Sequence, residues 1–304
     1  MKIGLVGCGN WGKLILRDLI SLGCEVQVVA RSNYSINNAR EMGAKVIVNE
    51  ISKLQKLDAA VVATTIDNHY ICIKELRQHF NNLAIFCEKP LTSSVEQAQD
   101  LLQKCPNNIF VMDKWRYHNG ILALKEIHHS QRFGALRGLA SKRLSRSNPH
   151  CDADAVWVLL PHDISIIHEI LGFIPEPQAA LSQVYAGNFE SMHAQLGKSP
   201  WCTIDVSARS THQERRIELR YDQHICVLND GYAKEIEIYH WDPVEQKIAP
   251  EIEKVPFKDE MPLFTELQAF VRYVAGTAPA PKSSLEDSVK HVQTIADLMK
   301  LALK

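Results

Sequence analysis

The start of the chain limits its fold more than any other stretch. Lys2-Ile3-Gly4-Leu5-Val6 is a short apolar run of strand type. It leads straight into Gly7-Cys8-Gly9-Asn10-Trp11-Gly12, and then into Lys13-Leu14-Ile15-Leu16-Arg17-Asp18-Leu19-Ile20, a helical pattern. A glycine cluster by itself says little. Placed between a buried strand and a helix, it marks the first turn of a parallel α/β sheet that binds a dinucleotide. Each glycine then has a task. Gly7 allows the tight turn, Gly9 lets backbone approach a pyrophosphate, and Gly12 lets helix pack on strand. The free N–H groups at the helix start face the anion, and Asn10 and Trp11 lie in the same loop.

The alternation continues to about residue 115. Strand-like runs are centred on Val26–Ala30, Lys45–Val48, Asp58–Thr65, Ala84–Cys87 and Ile109–Met112, with helical stretches at Ile36–Met42 and Val95–Gln103. The runs are short and do not alternate apolar with polar, as in a parallel sheet covered on both faces. The fold class expected is therefore α/β, a doubly wound Rossmann sheet.

The second half has a different rhythm. Helical patterns at 120–130 and 162–171 are set among strand-like stretches at 136–146, 201–210, 215–221, 224–229 and 234–241. Arg215-Ile217-Leu219-Tyr221 and Ile225-Val227 alternate with polar neighbours, which predicts a large, mostly antiparallel open sheet in an α+β domain. Asn229-Asp230-Gly231 is a hairpin-turn signal. Ser284 to Leu303 reads as a capped helix. The expected division is a dinucleotide-binding domain at 1–115 and a substrate and oligomerisation domain at 116–304, with the final helix, about 284–303, packing back toward the first.

Composition narrows the function. With 304 residues two domains are the natural reading, and a formal net charge of −1 argues against nucleic acid or an anionic membrane as partner. No apolar run approaches the roughly 20 residues of a spanning helix. The strand at residue 2 leaves no room for a signal peptide, and the eight cysteines form no CxxC pair, so the expectation is a cytoplasmic protein with reduced thiols.

The end of the second strand bears on the cofactor. NAD sites commonly place an acid there for the ribose 2′-OH. Here the strand ends Val29-Ala30-Arg31-Ser32-Asn33. Arg31 suits a 2′-phosphate and Ser32 and Asn33 suit hydrogen bonds, so NADP(H) is expected to be preferred, with NAD(H) possible. After the fifth strand come Glu88-Lys89-Pro90, where open α/β sheets bind ligands. Taken alone, Glu88-Lys89 reads as a surface pair.

The glycine fingerprint, Glu88-Lys89-Pro90 and Pro161-His162-Asp163-Ile164 together resemble the glucose–fructose oxidoreductase/inositol dehydrogenase/MocA family. Asp58 to Thr65 followed by His69, Arg116-Tyr117-His118-Asn119, Gly134 to Arg137, and Glu266-Leu267-x-x-Phe270 resemble further parts of it, so the likeness runs along nearly the whole chain. The resemblance implies a hydride moved between nicotinamide and a sugar, polyol or nucleotide sugar. It implies Lys89 as proton donor or acceptor and His162 as its partner at the reacting hydroxyl. It places Thr64, Thr65, His69, Glu88 and Lys89 at the cofactor with the glycine loop. It also implies a homodimer or homotetramer built on the larger sheet. Without the family, His162 reads as a structural residue.

One position departs from the family pattern. An aspartate commonly stands one helical turn before the histidine; here it is Val158. Asp163 is adjacent to His162 and cannot face it on a helix. This keeps a second reading open, a non-catalytic regulator that binds a nicotinamide dinucleotide. Cys151, Asp152 and Asp154 with His162 and His168 have poor spacing for a metal, and none is expected. Lys142-Arg143-x-x-Arg146 is a candidate contact for a phosphate or carboxylate, although a strand sends Arg143 to the face opposite Lys142 and Arg146.

Overall fold

The computed structural model describes residues 1–148 and 153–304. The chain forms two units: Met1–Lys114 with Met261–Gln293, and Trp115–Glu260 with Thr294–Lys304.

The first unit opens with β1 (Lys2–Val6), α1 (Gly12–Ser21), β2 (Glu25–Val29), α2 (Asn33–Glu41) and β3 (Val46–Val48). It continues with β4 (Ala59–Val62), α3 (Ile66–His79), β5 (Ala84–Glu88), α4 (Val95–Lys104) and β6 (Ile109–Met112). The six strands run in the order β3-β2-β1-β4-β5-β6, all parallel. The order reverses between β1 and β4, and a ligand crevice opens at the carboxyl ends of strands at such a switch point. The glycine loop leaves β1 there. Helix α3 buries Ile66, His69, Cys72, Ile73 and Leu76. A histidine and a cysteine hold two places of that stripe, which hides it from an apolar-periodicity reading.

The second unit contains α5 (Asn119–His129), β7 (Gly138–Leu144), α6 (Ala155–Leu171), β8 (Pro177–Tyr185), β9 (Asn188–Leu196) and β10 (Trp201–Ser207). Then come β11 (Glu214–Arg220), β12 (His224–Leu228), β13 (Glu235–Asp242) and β14 (Lys247–Pro256). Its eight strands are ordered β14-β13-β12-β11-β7-β10-β9-β8, and only the β7–β10 pair is parallel. Helix α6 packs on β7, β9 and β10, and α5 on β12 and β13, so one face of the sheet carries the core.

Two strands lack a sequence signal. β8 and β14 are largely exposed and show no apolar alternation. β8 and β9 are joined by Ala186 and Gly187, both at positive φ (49° and 85°). That is a two-residue hairpin without the Asn-Gly marker. The expected helix at 162–171 begins earlier, at Ala155, because Pro161 lies inside it rather than before it. The helix tolerates the missing N–H because fifteen of its residues are buried against the sheet.

Helices α7 (Pro262–Val274) and α8 (Leu285–Ala302) close the fold. α7 differs from the expected 116–304 assignment, since it belongs to the first unit. Leu263, Leu267 and Phe270 complete the core built by Ile3, Leu5, Leu16, Val61 and Phe86. Phe270 stacks on Phe86 at 4.7 Å between ring centroids. Losing either ring from such a site costs about 3–5 kcal/mol. Residues 285–293 of α8 also belong to this unit. Among the described residues, no helix is long and apolar enough to cross a membrane. The seven described cysteines are free thiols.

Candidate active site

The glycine loop is shaped by what its three glycines exclude. Gly7 has φ +93°, and a Cβ on it would stand 2.5 Å from the carbonyl oxygen of Ala63. A Cβ on Gly12 would stand 2.5 Å from the carbonyl oxygen of Gly7. Neither position accepts a side chain. Gly9 is the opposite case, with no atom within 4 Å of its Cβ position. The loop is therefore closed toward the protein and open at Gly9, beside the start of α1, where N–H groups lack helical partners. That geometry fits a diphosphate.

Trp11 ties this loop to the end of β5. Its indole Nε1 donates to Glu88 Oε1, and the Lys114 ammonium lies 4.5 Å from the centre of its ring. The second Glu88 oxygen accepts the Lys89 N–H at 3.1 Å. Burial pushes the Glu88 carboxyl up from 4.5 to about 7, even though Lys89, the Trp11 indole and Lys114 all favour the charged form. Asn10 is held from the other side, where the Tyr34 hydroxyl donates to its Oδ1.

A second carboxyl stands behind Glu88. Phe86 and Glu88 share one face of β5, two residues apart. Phe270 and Glu266 share one face of α7, one turn apart. Because Phe86 and Phe270 are stacked, the same packing carries Glu266 toward Glu88. Glu266 is 1% exposed and its Oε2 has no hydrogen-bond partner among the described residues. Burial first, then the charges of Glu88 and Asp113, push its carboxyl well above the usual range. Asp113 itself accepts from the Ser283 hydroxyl at 2.7 Å.

At the end of β2 the Arg31 side chain is exposed, and its Nε makes a long bond of 3.4 Å to the Asn49 carbonyl. Ser32 caps α2, accepting the Ser35 N–H at 3.2 Å, and Asn33 is the first residue of that helix. At the end of β4, Thr65 is the N-cap position of α3. His69, expected at the cofactor, points inward. It is 1% exposed, and its two ring nitrogens face the carbonyls of Pro90 at 2.9 Å and Thr64 at 3.2 Å. Its stripe position on α3 turns it inward, where it braces the loop after β4 against the loop after β5.

His162 lies in the second unit, half-buried on α6, whereas Lys89 and the glycine loop belong to the first. One turn before His162, Val158 is 3% exposed within the apolar face of the helix. Asp163 turns to the sheet: its Oδ2 accepts Arg143 Nε at 2.8 Å, and its Oδ1 accepts Arg143 Nη2 at 3.3 Å and the Ser141 hydroxyl. The Arg143 guanidinium lies 4.7 Å from the centre of the Trp115 ring. The expected basic contact at Lys142, Arg143 and Arg146 is thus divided. Arg143 is buried in an ion pair, Lys142 approaches Glu214 at 3.7 Å, and Arg146 is exposed. Asp154 Oδ1 accepts the Phe189 N–H at 3.1 Å, and Cys151 and Asp152 lie outside the described residues. Among the described residues no group of three or more metal-binding side chains is assembled.

Tyr34 and Lys114 are contacts that the sequence does not mark, and they carry no pattern of their own. Glu266 stands in the family-like Glu266-Leu267-x-x-Phe270 stretch, and its further signal is a carboxylate on the apolar face that also carries Leu263, Leu267 and Phe270.

Comparison with known proteins agrees with this geometry. Residues 1–110 match the model of an oxidoreductase family with an NAD-binding Rossmann fold, Gfo/Idh/MocA. An uncharacterized oxidoreductase of Streptococcus pneumoniae serotype 4 is 29% identical over 133 residues, which are 42% of this chain and 36% of that protein. The match thus spans about a third of that relative's length. Among solved structures, UDP-N-acetylglucosamine 3-dehydrogenase GnnA from Acidithiobacillus ferrooxidans superposes with a TM-score of 0.81 at 19% identity, covering 100% of this chain and 96% of that one. An oxidoreductase from Agrobacterium radiobacter in complex with NAD+, L-tartaric acid and magnesium gives 0.83 at 17% identity, covering 100% and 96%.

Proposed function

We propose that the protein is an NAD(P)-dependent dehydrogenase of the Gfo/Idh/MocA type, the oxidoreductase family whose NAD-binding Rossmann model residues 1–110 match. Its substrate is a sugar, polyol or nucleotide sugar, oxidised or reduced at one carbinol or carbonyl carbon. The observation that carries the reading is the glycine loop, packed shut at Gly7 and Gly12 and open at Gly9. A nicotinamide dinucleotide held there supplies the hydride acceptor or donor. The chain's own groups handle the proton. Lys89 takes the hydroxyl proton as the alcohol carbon gives up its hydride, and returns it in the reverse direction. Glu88 fixes Lys89 by accepting its backbone N–H. His162 hydrogen-bonds the reacting oxygen. Arg31 pairs the 2′-phosphate, so NADPH is preferred over NADH. The reading includes a cytoplasmic homodimer or homotetramer, which light scattering checks.

Titration with NADPH and NADH, followed by nicotinamide fluorescence, tests the premise. Tight NADPH binding that Arg31→Asp converts to NADH preference supports it; binding of neither refutes it. UDP-N-acetylglucosamine, the substrate named for the GnnA relative, is the first compound to try for turnover. Lys89→Met is expected to abolish turnover and keep cofactor affinity.

One observation favours a second reading, a dinucleotide-binding regulator without chemistry. Val158 is buried and apolar where the family commonly carries an acid. Cofactor binding with no turnover on any sugar, and no response to Lys89→Met, supports that reading instead.

A further inference from the structure

The inner face of the larger sheet ends in two facing arginines. Arg143 on β7 and Arg215 on β11 are cross-strand partners. Arg143 shares its strand face with the buried Leu139 and Ser141, and Arg215 shares its own with the buried Ile217 and Leu219. Both therefore lie on the face that the helices cover, where like charges directly opposite repel each other.

The two arginines are treated differently. Arg143 is 3% exposed and neutralised by Asp163, and it lies on the Trp115 ring. Arg215 is half-buried, and its side chain has no ion pair or hydrogen bond among the described residues. Its stem passes beside Gly231: Cδ is 3.7 Å from the Cβ position of that residue, and the same position is 2.7 Å from Trp115 Cη2. No side chain fits at 231, so the loop after β12 lies flat on Trp115 and Arg215 emerges beside it. Asp163 holds Arg143, and Glu214, on the opposite face of β11, approaches Lys142. A half-buried arginine whose side chain has no partner among the described residues suits a carboxylate or phosphate, which it can bind through two parallel N–H groups. Asp163 directly follows His162, so this charge lies by the turn of α6 that carries His162.

We propose that Arg215 is the specificity-determining residue that recognises an anionic group on the substrate, a phosphate or a carboxylate. The substrate class then narrows from neutral polyols to sugars that carry such a group. This rests on the oxidoreductase reading above.

The test begins with protein saturated with NADPH, so that the dinucleotide site cannot take up the probe. UDP, D-glucuronate and neutral uridine are then titrated by calorimetry into wild type, Arg215→Gln and Arg146→Gln. The expected result is binding of UDP or of D-glucuronate, weakened by salt, and no binding of uridine. Arg215→Gln is expected to weaken it at least about tenfold, Arg215→Lys less, and Arg146→Gln not at all. UDP binding identifies a phosphate and glucuronate binding a carboxylate. The proposal is overturned if neither anion binds wild type, or if Arg215→Gln binds as tightly while melting at the same temperature. Failure of NADPH to bind in the first step refutes the oxidoreductase reading instead, so the two failures are distinct.

Discussion

The Glu88 carboxyl makes a quantitative claim about pH. Its ordinary value of 4.5 rises to about 7 in the folded chain, chiefly through burial. A carboxyl whose folded value is raised favours the native state while protonated. Its contribution is full below pH 4.5 and is lost as pH rises through about 7. At about 1.4 kcal/mol per pH unit the span corresponds to about 3 kcal/mol. Glu88 is half-buried and keeps some water, which brings the expected loss to about 2 kcal/mol. Glu88→Gln removes the titration but keeps an oxygen to accept the Trp11 indole. Urea unfolding of both proteins, followed by fluorescence at pH 5 to 8.5, is the assay. Wild type is expected to lose about 2 kcal/mol more than the variant across this range, and the variant to be the more stable above pH 7. The Glu88 charge also raises Glu266, so the two proteins are compared in a Glu266→Gln background, which isolates the Glu88 titration. Parallel stability curves would mean that Glu88 is ionised at no net cost, and the account of a carboxyl pair at the end of β5 would be refuted.

Three other outcomes follow from the same geometry. Gly9→Ala is expected to melt like wild type, because its Cβ meets nothing, yet to bind NADPH at least about tenfold more weakly, because the Cβ fills the space left for the diphosphate. Gly12→Ala is expected to lose about 1–3 kcal/mol of stability through its clash with the Gly7 carbonyl, read as a lower melting temperature. Asp163→Ala leaves Arg143 buried without its acid and is expected to cost about 3–5 kcal/mol in denaturant unfolding.

The first domain was legible wherever one residue type has a single physical use. Gly7, Gly9 and Gly12 predict a turn, an opening and a close packing, and each matches the space found at its Cβ position. The parallel strands were legible because burial on both faces leaves short unbroken apolar runs. Other contacts depend on partners far away in sequence. Nothing local pairs Trp11 with Glu88, 77 residues on. Arg143 read as part of a candidate anion contact, whereas the fold pairs it with Asp163, because burial of a charge depends on tertiary position and not on its neighbours in the chain. His69 read as a loop residue at the cofactor, whereas the phase of α3 turns it inward.

The return of α7 to the first unit has a consequence for how the chain acquires its structure. The sheet of β1 to β6 is complete in sequence by Met112, but Leu263, Leu267 and Phe270 reach its core only after residues 115–260 of the second unit have intervened. During synthesis the nascent first domain therefore waits with an apolar groove over Phe86 uncovered, while the ribosome adds about 150 more residues at about 5–20 per second. Its closure is a late, high-contact-order event. The incomplete domain is the species most exposed to chaperones and to aggregation, and residues 1–114 expressed alone keep that groove open.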